Sequence, residues 1–206
     1  MAGEMLPLFP LSVVLLPHTN LPLHIFEERY KEMIGEAIGG HTEFGVVLAT
    51  GNGIVNTGCT AIVQEVLQKH SDGRMDIMTI GVRRYEILSL NEDKSYVRGV
   101  VEFFDDIEGA APPELRQRAL KAWRESGVAG EAAEPAPDEE APQLSFLLAH
   151  PIEDLAFRQQ LLASRSEADR LKRLVDFFPT WRARQQYAQQ VREAAPRNGH
   201  ARLPQS

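Results

Sequence analysis

The chain predicts an α+β protein, with a small, partly closed β-barrel in its first half and a bundle of helices after it. Three observations carry this. Between residues 5 and 107 the apolar residues fall in short runs separated by Pro, Gly, Asn and Asp, the pattern of brief strands and turns. From Pro112 onward the apolar spacing changes to three and four residues, the period of a helix. Six or seven short strands with one helix among them protect their edges best by closing on themselves.

Leu6–Leu11, Val13–Leu16 and Leu21–Ile25 read as three short extended segments. Prolines at 7, 10, 17 and 22 remove ladder donors and disfavour helix at the residue before each. Glu27–Ile38 reads as a helix, with Glu27 and Glu28 in the first turn, where the dipole favours acids. Its apolar residues Tyr30, Met33, Ile34, Ala37 and Ile38 share one face, and Gly39-Gly40 ends it. Phe44–Ala49 is almost continuously apolar, which predicts a strand buried on both faces, and Gly51-Asn52-Gly53 makes a turn. Thr60–His70 and Met75–Ser89 are long strands joined by a hairpin at Ser71-Asp72-Gly73-Arg74. The second of them alternates, with Ile77, Thr79 and Gly81 on one face and Met78, Ile80 and Val82 on the other. Tyr96–Phe104 is the last strand.

Pro112-Pro113-Glu114 opens a helix that Gly127 stops after Ser126. Residues 129–142, AGEAAEPAPDEEAP, offer nothing to a core and read as an exposed, mobile linker. Gln143–Ala149, Ile152–Ser164 and Ser166–Phe178 read as helices, the last opened by a Ser166-x-x-Asp169 capping pattern. Thr180–Ala194 is predicted as a separate final helix, capped by Thr180 after Pro179. These boundaries divide the chain into a barrel domain (1–108), a helix with its acidic linker (109–142), a helical subdomain (143–195) and a disordered tail (196–206).

Composition narrows the function. Hydrophobic residues make up 43% and charged residues 25%, ordinary globular values. No apolar run approaches the ~18 residues of a membrane-spanning helix. The apolar start has no Lys or Arg before it and is broken by prolines, so it is expected in a core and not as a leader. A lone Cys59 has no internal disulfide partner and fits a reducing, cytoplasmic compartment, as a small core residue. The net charge of −7 is largely local. Residues 129–142 carry five acids and no base, and without them 22 basic face 24 acidic residues, a balance of −2. A nucleic-acid binder would show a basic face, which this near-neutral remainder lacks.

The opening MLPLFPLSVVLLPHTNLPLHIFEERY, Met5–Tyr30, resembles the start of the N-terminal, substrate-binding domain of Lon-type ATP-dependent proteases. Phe44-Gly45-Val46-Val47, Gly58-Cys59-Thr60-Ala61 and Gly81-Val82-Arg83-Arg84-Tyr85 match later blocks, and LSFLLAH at 144–150 with RQQLLASRSEADRLKRL at 158–174 resembles the helical tail. The resemblance spans roughly residues 5–178 and implies a PUA-like β pseudo-barrel followed by a C-terminal helical bundle. It also implies recognition of unfolded or hydrophobic polypeptides. The ATPase signature G-x-x-x-x-G-K-[ST] does not occur in the chain, so the expectation is a stand-alone, non-catalytic recognition module. An ATP-dependent protease in trans would then be its partner, in protein quality control.

The positions that match the family pattern are Pro10, Pro17, Pro22, Phe26, Glu27, Arg29, Tyr30, Gly45, Gly58, Gly81 and Arg84, and they are expected to hold the fold. The polar set Glu27, Arg29, Arg83 and Arg84 reads either as lining a recognition surface or as giving an Arg84–Glu27 bridge that pins the helix to the barrel, with a structural role expected. The candidate polypeptide contacts are Phe103, Phe104, Phe177, Phe178 and Trp181, for which docking of helices on one another is the favoured alternative to an exposed groove. His18 and His24 could meet across a turn. Six scattered histidines and one cysteine make no metal pattern, so neither metal nor cofactor is expected. No G-x-S-x-G elbow or Ser/Lys pairing stands out, and no enzymatic activity is expected. RNA binding and small-ligand binding remain the competing readings.

Overall fold

In the computed structural model, which describes residues 3–107, 109–128, 130 and 136–194, strand β1 (Glu4–Leu11) closes the sheet. Its first half, Glu4–Pro7, pairs antiparallel with β7 (Arg98–Phe104), and its second half, Leu8–Leu11, pairs parallel with β3 (Phe44–Thr50). The partner changes at Pro7, where a missing amide donor costs little because one ladder is ending. The ring then runs β1, β7, β6 (Met75–Asn91), β5 (Thr57–Lys69), β3 and back to β1. β2 (Asn20–Ile25) adds to β6 outside the ring, and the two-residue β4 (Gly53–Ile54) adds to β3. Parallel strands cannot be joined by a tight turn, and β2 with α1 (Glu28–Gly40) supplies the crossover between β1 and β3. His41, in the left-handed conformation at φ 52°, caps α1 by donating its backbone N–H to Ile38.

Gly81 is the pivot of β6. On its N-terminal side β6 pairs with β2 through Met75–Ile80, and on its C-terminal side with β7 from Arg84 onward. At Gly81 itself the segment before β2 crosses over the strand. Gly81 N–H donates to Thr19 C=O at 3.0 Å, and His18 N–H donates to Gly81 C=O at 2.9 Å. A Cβ at this position would run into the Leu16 carbonyl oxygen. This explains a departure from the sequence-based expectation: Val13–Leu16 is not a strand, although Val14, Leu15 and Leu16 are buried. Its backbone is held by a turn, Thr19 Oγ1 donating to Leu16 C=O at 2.7 Å, and by Arg158, which donates to Val14 C=O.

The helices are α2 (Pro113–Ser126), α3 (Leu144–Ala149), α4 (Leu155–Ala163) and α5 (Glu167–Ala194). α4 starts later than its apolar pattern predicts because the Asp154 side chain accepts from Phe157 N–H and fixes the N-terminus there. Ser166 caps α5 as expected, accepting from Asp169 N–H at 3.3 Å. The separate helix predicted from Thr180 is instead the second half of α5, which runs through Pro179. α2 packs along α5 there, Leu120 and Trp123 sharing the core with Leu174 and Phe178 just before the proline, and this packing holds the helix at the break. Thr180 Oγ1 accordingly bonds back to Asp176 C=O at 3.4 Å.

A continuous core joins the two halves. Phe9, Phe44 and Val46 from the strands share it with Leu115 and Trp123 of α2, Phe146 of α3, Leu161 of α4, and Leu171 and Phe178 of α5. A smaller cluster of Leu6, Leu8, Tyr85 and Val101 sits among β1, β6 and β7. Of the predicted linker, 136–142 are described, and Glu139 and Ala141 accept hydrogen bonds from the Arg116 guanidinium of α2 through their backbone carbonyls. Residues 129 and 131–135 of that linker, and the predicted tail from 196, lie outside the described residues.

Candidate functional site

The joint between ring and helices is ionic and buried. Asp106, just beyond β7, accepts from Arg84 of β6 at 2.7 Å and from both terminal nitrogens of Arg170 of α5 at 2.6 Å each. Arg170 also donates to Glu167 at 2.7 Å and, through Nε, to Ser145 at 2.8 Å. Glu167 accepts from the Ser145 backbone and hydroxyl, while Arg84 reaches the Leu162 and Ser164 carbonyls. The Arg84 and Arg170 side chains are 1% and 0% exposed, so these charges have little solvent to fall back on. Two cations against two anions cancel. Burial alone would raise the Asp106 carboxyl, but the hydrogen bonds and charge of Arg170, joined by Arg84, hold it below the usual range. Arg84 therefore does not bridge to Glu27. Glu27 lies at the start of α1 and pairs with its neighbour Arg29 at 2.7 Å on the surface.

The other family-pattern positions divide by packing. Gly45 and Gly58 leave room for the Tyr85 ring, whose hydroxyl donates to Val46 C=O at 3.1 Å. Tyr30 is buried and packs on Phe9 at 4.2 Å, with the Arg29 guanidinium over its outer face. Pro17 is buried, Pro10 half-buried and Pro22 exposed on the outer strand β2. Phe26 lies outside the core. It is 59% exposed, with its ring stacked on His24 at 5.8 Å.

The five aromatic candidates do not form one surface. Phe104 is buried between the Arg84 and Arg165 guanidiniums, and Phe178 is wholly buried in the core. Phe103 is half-buried under the Arg83 guanidinium, 3.8 Å from its ring centre. Only Phe177 and Trp181 come together at the surface, and they do so with Phe157 of α4, which the sequence reading did not single out. The Phe157 and Phe177 rings stack at 4.3 Å and 12°. With Trp181 they floor a shallow concavity of about 530 Å³ whose rim carries Asp154, Arg173, Asp176 and Arg184.

The histidines gather differently from the expected His18–His24 contact. His24 Nδ1 and His70 Nε2 both face the Asp76 carboxylate, at 2.6 and 3.0 Å, joining β2 to the β5–β6 hairpin, while His18 lies elsewhere at φ 62°. The hydrogen bonds from His24 and then His70 hold the Asp76 carboxyl below its ordinary range. A depressed carboxyl stabilises the fold above its unfolded pKa, and that contribution is lost as pH falls through the lower folded value. Asp76→Asn is therefore expected to melt earlier than the parent at neutral pH, and the gap should close under strongly acid conditions. Thermal denaturation of both proteins across that range is the check. Among the described residues no three His, Cys, Asp or Glu side chains are grouped to hold a metal ion. Cys59 is buried, and burial pushes its thiol well above the ordinary range. A larger concavity of about 580 Å³ lies at the joint; of its polar walls, Asp106, Arg116 and Glu167 are committed to internal partners, and Glu140 and Gln143 also line it. No helix among the described residues is long and apolar enough to cross a membrane.

A closed ring of strands with helices α2–α5 packed onto it through one continuous core and a buried ionic joint defines a mixed α/β domain. The chain belongs to the substrate-binding domain family of ATP-dependent protease La (LON), whose model matches residues 5–178. Solved structures with the same fold include a Lon N-terminal domain protein from Xanthomonas campestris. That structure has a TM-score of 0.68 and 24% identity, over 85% of this chain and 99% of the other. The N-terminal domain of the Mycobacterium avium complex Lon protease aligns with a TM-score of 0.63 and 17% identity, over 87% and 98%. The family is a substrate-binding domain and not the catalytic module of the protease, and its general role is recognition of protein substrates.

Proposed function

We propose that this domain recognises apolar stretches of unfolded polypeptide through the ledge of Phe157, Phe177 and Trp181. The observation that carries this is the stacked Phe157–Phe177 pair, half-buried beside Trp181 and lining a shallow concavity, on two helices that the core fixes. Such a ledge offers contact area that costs little side-chain entropy and tolerates many sequences. An ATP-dependent protease in trans would supply the motor, and this domain would act as its adaptor in protein quality control.

Titration of the protein into a reduced, permanently unfolded polypeptide, followed by fluorescence polarisation at low and moderate salt, tests the reading. Saturable binding that survives added salt is expected. Phe177→Ala and Trp181→Ala are each expected to weaken it by about tenfold, the loss of ~1.4 kcal/mol that aromatic anchors commonly carry. Binding that disappears with salt would point to charge-driven association, as with RNA, and would remove the ledge as the recognition surface.

A further inference from the structure

β5 pairs with β3 only through Cys59, Thr60 and Ala61. Beyond Ala61 that side of the strand carries no ladder among the described residues, while its other side stays paired with β6 to Lys69. A groove of about 260 Å³ runs between this stretch and the C-terminal end of α1. Five consecutive β5 residues, Ile62–Val66, line it, opposite Ala37, Ile38, His41 and Thr42. A groove looking onto the face of a strand would meet alternate residues, because side chains alternate across a sheet. Contact with five in succession means that it looks onto the edge. Ile62, Val66 and Leu67 are exposed there, at 37%, 40% and 52%.

We propose that this edge, Ile62–Gln68, takes an extended polypeptide segment as an added strand, and that the segment is apolar and basic. The proposal rests on the reading of the domain as a polypeptide binder but uses a surface separate from the aromatic ledge. Charge sets the sign of the partner. α1 ends at the groove with its last carbonyls capped by backbone N–H groups but no basic residue in its last turn, so the negative end of its dipole meets no cation from its own helix. Glu65 lines the groove and forms no ion pair among the described residues. Shape favours an unfolded chain over a second copy of this protein. The register slips at Val63/Glu65 and Val66/Gln68 bend the edge, which hinders two rigid edges from pairing but not a flexible segment that can follow the bend. Seven residues of strand give about 23 Å of edge, enough to specify direction and register through main-chain hydrogen bonds.

The test is amide hydrogen exchange on the whole chain with three probes. These are a short peptide alternating valine and lysine, its valine–glutamate counterpart, and the first peptide N-methylated at every amide, so that neither of its edges can donate. The valine–lysine peptide is expected to slow exchange at 62–68, and the other two are not. Glu65→Lys is expected to weaken the basic peptide by about tenfold, a change typical of a reversed charge at an interface. Trp181→Ala is expected to leave protection at 62–68 intact, which separates failure of the edge from failure of the ledge. Binding without protection at 62–68, or equal binding of the N-methylated peptide, overturns the added strand. Protection that appears without peptide and rises with protein concentration would show a second copy on the edge and overturns it too.

Discussion

Asp106→Asn is expected to lower the unfolding free energy by about 3–5 kcal/mol, the usual cost of removing one partner from a buried ion pair. The carboxylate accepts from Arg84 and twice from Arg170, whose side chains are almost fully shielded from water. Asparagine preserves the shape but removes the charge, leaving two buried guanidiniums with only Glu167 to balance them. For a domain of this size the loss corresponds to a fall in melting temperature of roughly 10 °C or more. Because Asp106 belongs to the ring end of the joint and Arg170 to α5, helices α3 and α5 should loosen first. Amides of α3 and α5 should gain exchange before those of β5 and β6. The pH dependence supplies an independent sign. The Asp106 carboxyl is held below its usual range in the folded state, so its contribution is present above the ordinary carboxylate range and lost as pH falls through the folded value. Parent and variant should converge in acid. A variant that melts within about 2 °C of the parent at neutral pH would show that water or rearrangement satisfies the arginines.

How much of this joint is legible in the sequence depends on the range of the interactions that make it. The alternation of Met75–Val82, the hairpin at Ser71–Arg74 and the period of α1 are local patterns, and the structure keeps all three. Closure of the ring is not local. β1 and β3 pair in parallel across a crossover, and no short-range signal marks such a pair. Arg84 illustrates the same limit. Its partners lie 22 residues away in Asp106 and about 80 away at Ser164, and neither is among the family-pattern positions, so shared membership of that pattern points instead to Glu27. The helix through Pro179 is a case of tertiary packing overriding a local breaker.

The aromatic ledge was half legible. In α5 the buried residues Leu171, Leu174 and Phe178 fall three and four apart, and that spacing already selects Phe178 as the inward member of Phe177-Phe178. Phe157 gives no comparable sign. It is the lone aromatic of a short helix, and only the packing of α4 on α5 brings it against Phe177. Phe103-Phe104 is subtler, because arginines cover both rings and remove them from the set of exposed apolar residues. Sequence shows an arginine pair and a phenylalanine pair. The register of β6 with β7, which sets Arg84 opposite Phe104, makes them one unit.

Gly81→Ala should be the most disruptive single methyl in the ring, costing about 2–4 kcal/mol as backbone is forced apart. The added carbon would meet the Leu16 carbonyl, and beyond it the Leu16 carbonyl carbon at 3.0 Å and the Cys59 sulfur at 3.2 Å. A flexible side-chain tip could swing away, but Leu16 is wholly buried, and its carbonyl already accepts from Thr19. Relief would have to come from lifting the 13–19 segment off β6. That movement breaks both hydrogen bonds between Gly81 and the His18–Thr19 pair and uncovers Val14 and Leu15. Gly35→Ala is the matched control. It sits in α1 with nothing within 4 Å of an added carbon, and there alanine should stabilise by about 0.5–1 kcal/mol through helix propensity. Urea denaturation of the two variants beside the parent gives opposite signs if the crossing of the 13–19 segment over β6 is what requires glycine at 81. Equal, small effects at both positions would mean that the crossing segment yields freely, and that Gly81 is kept for some reason other than close approach.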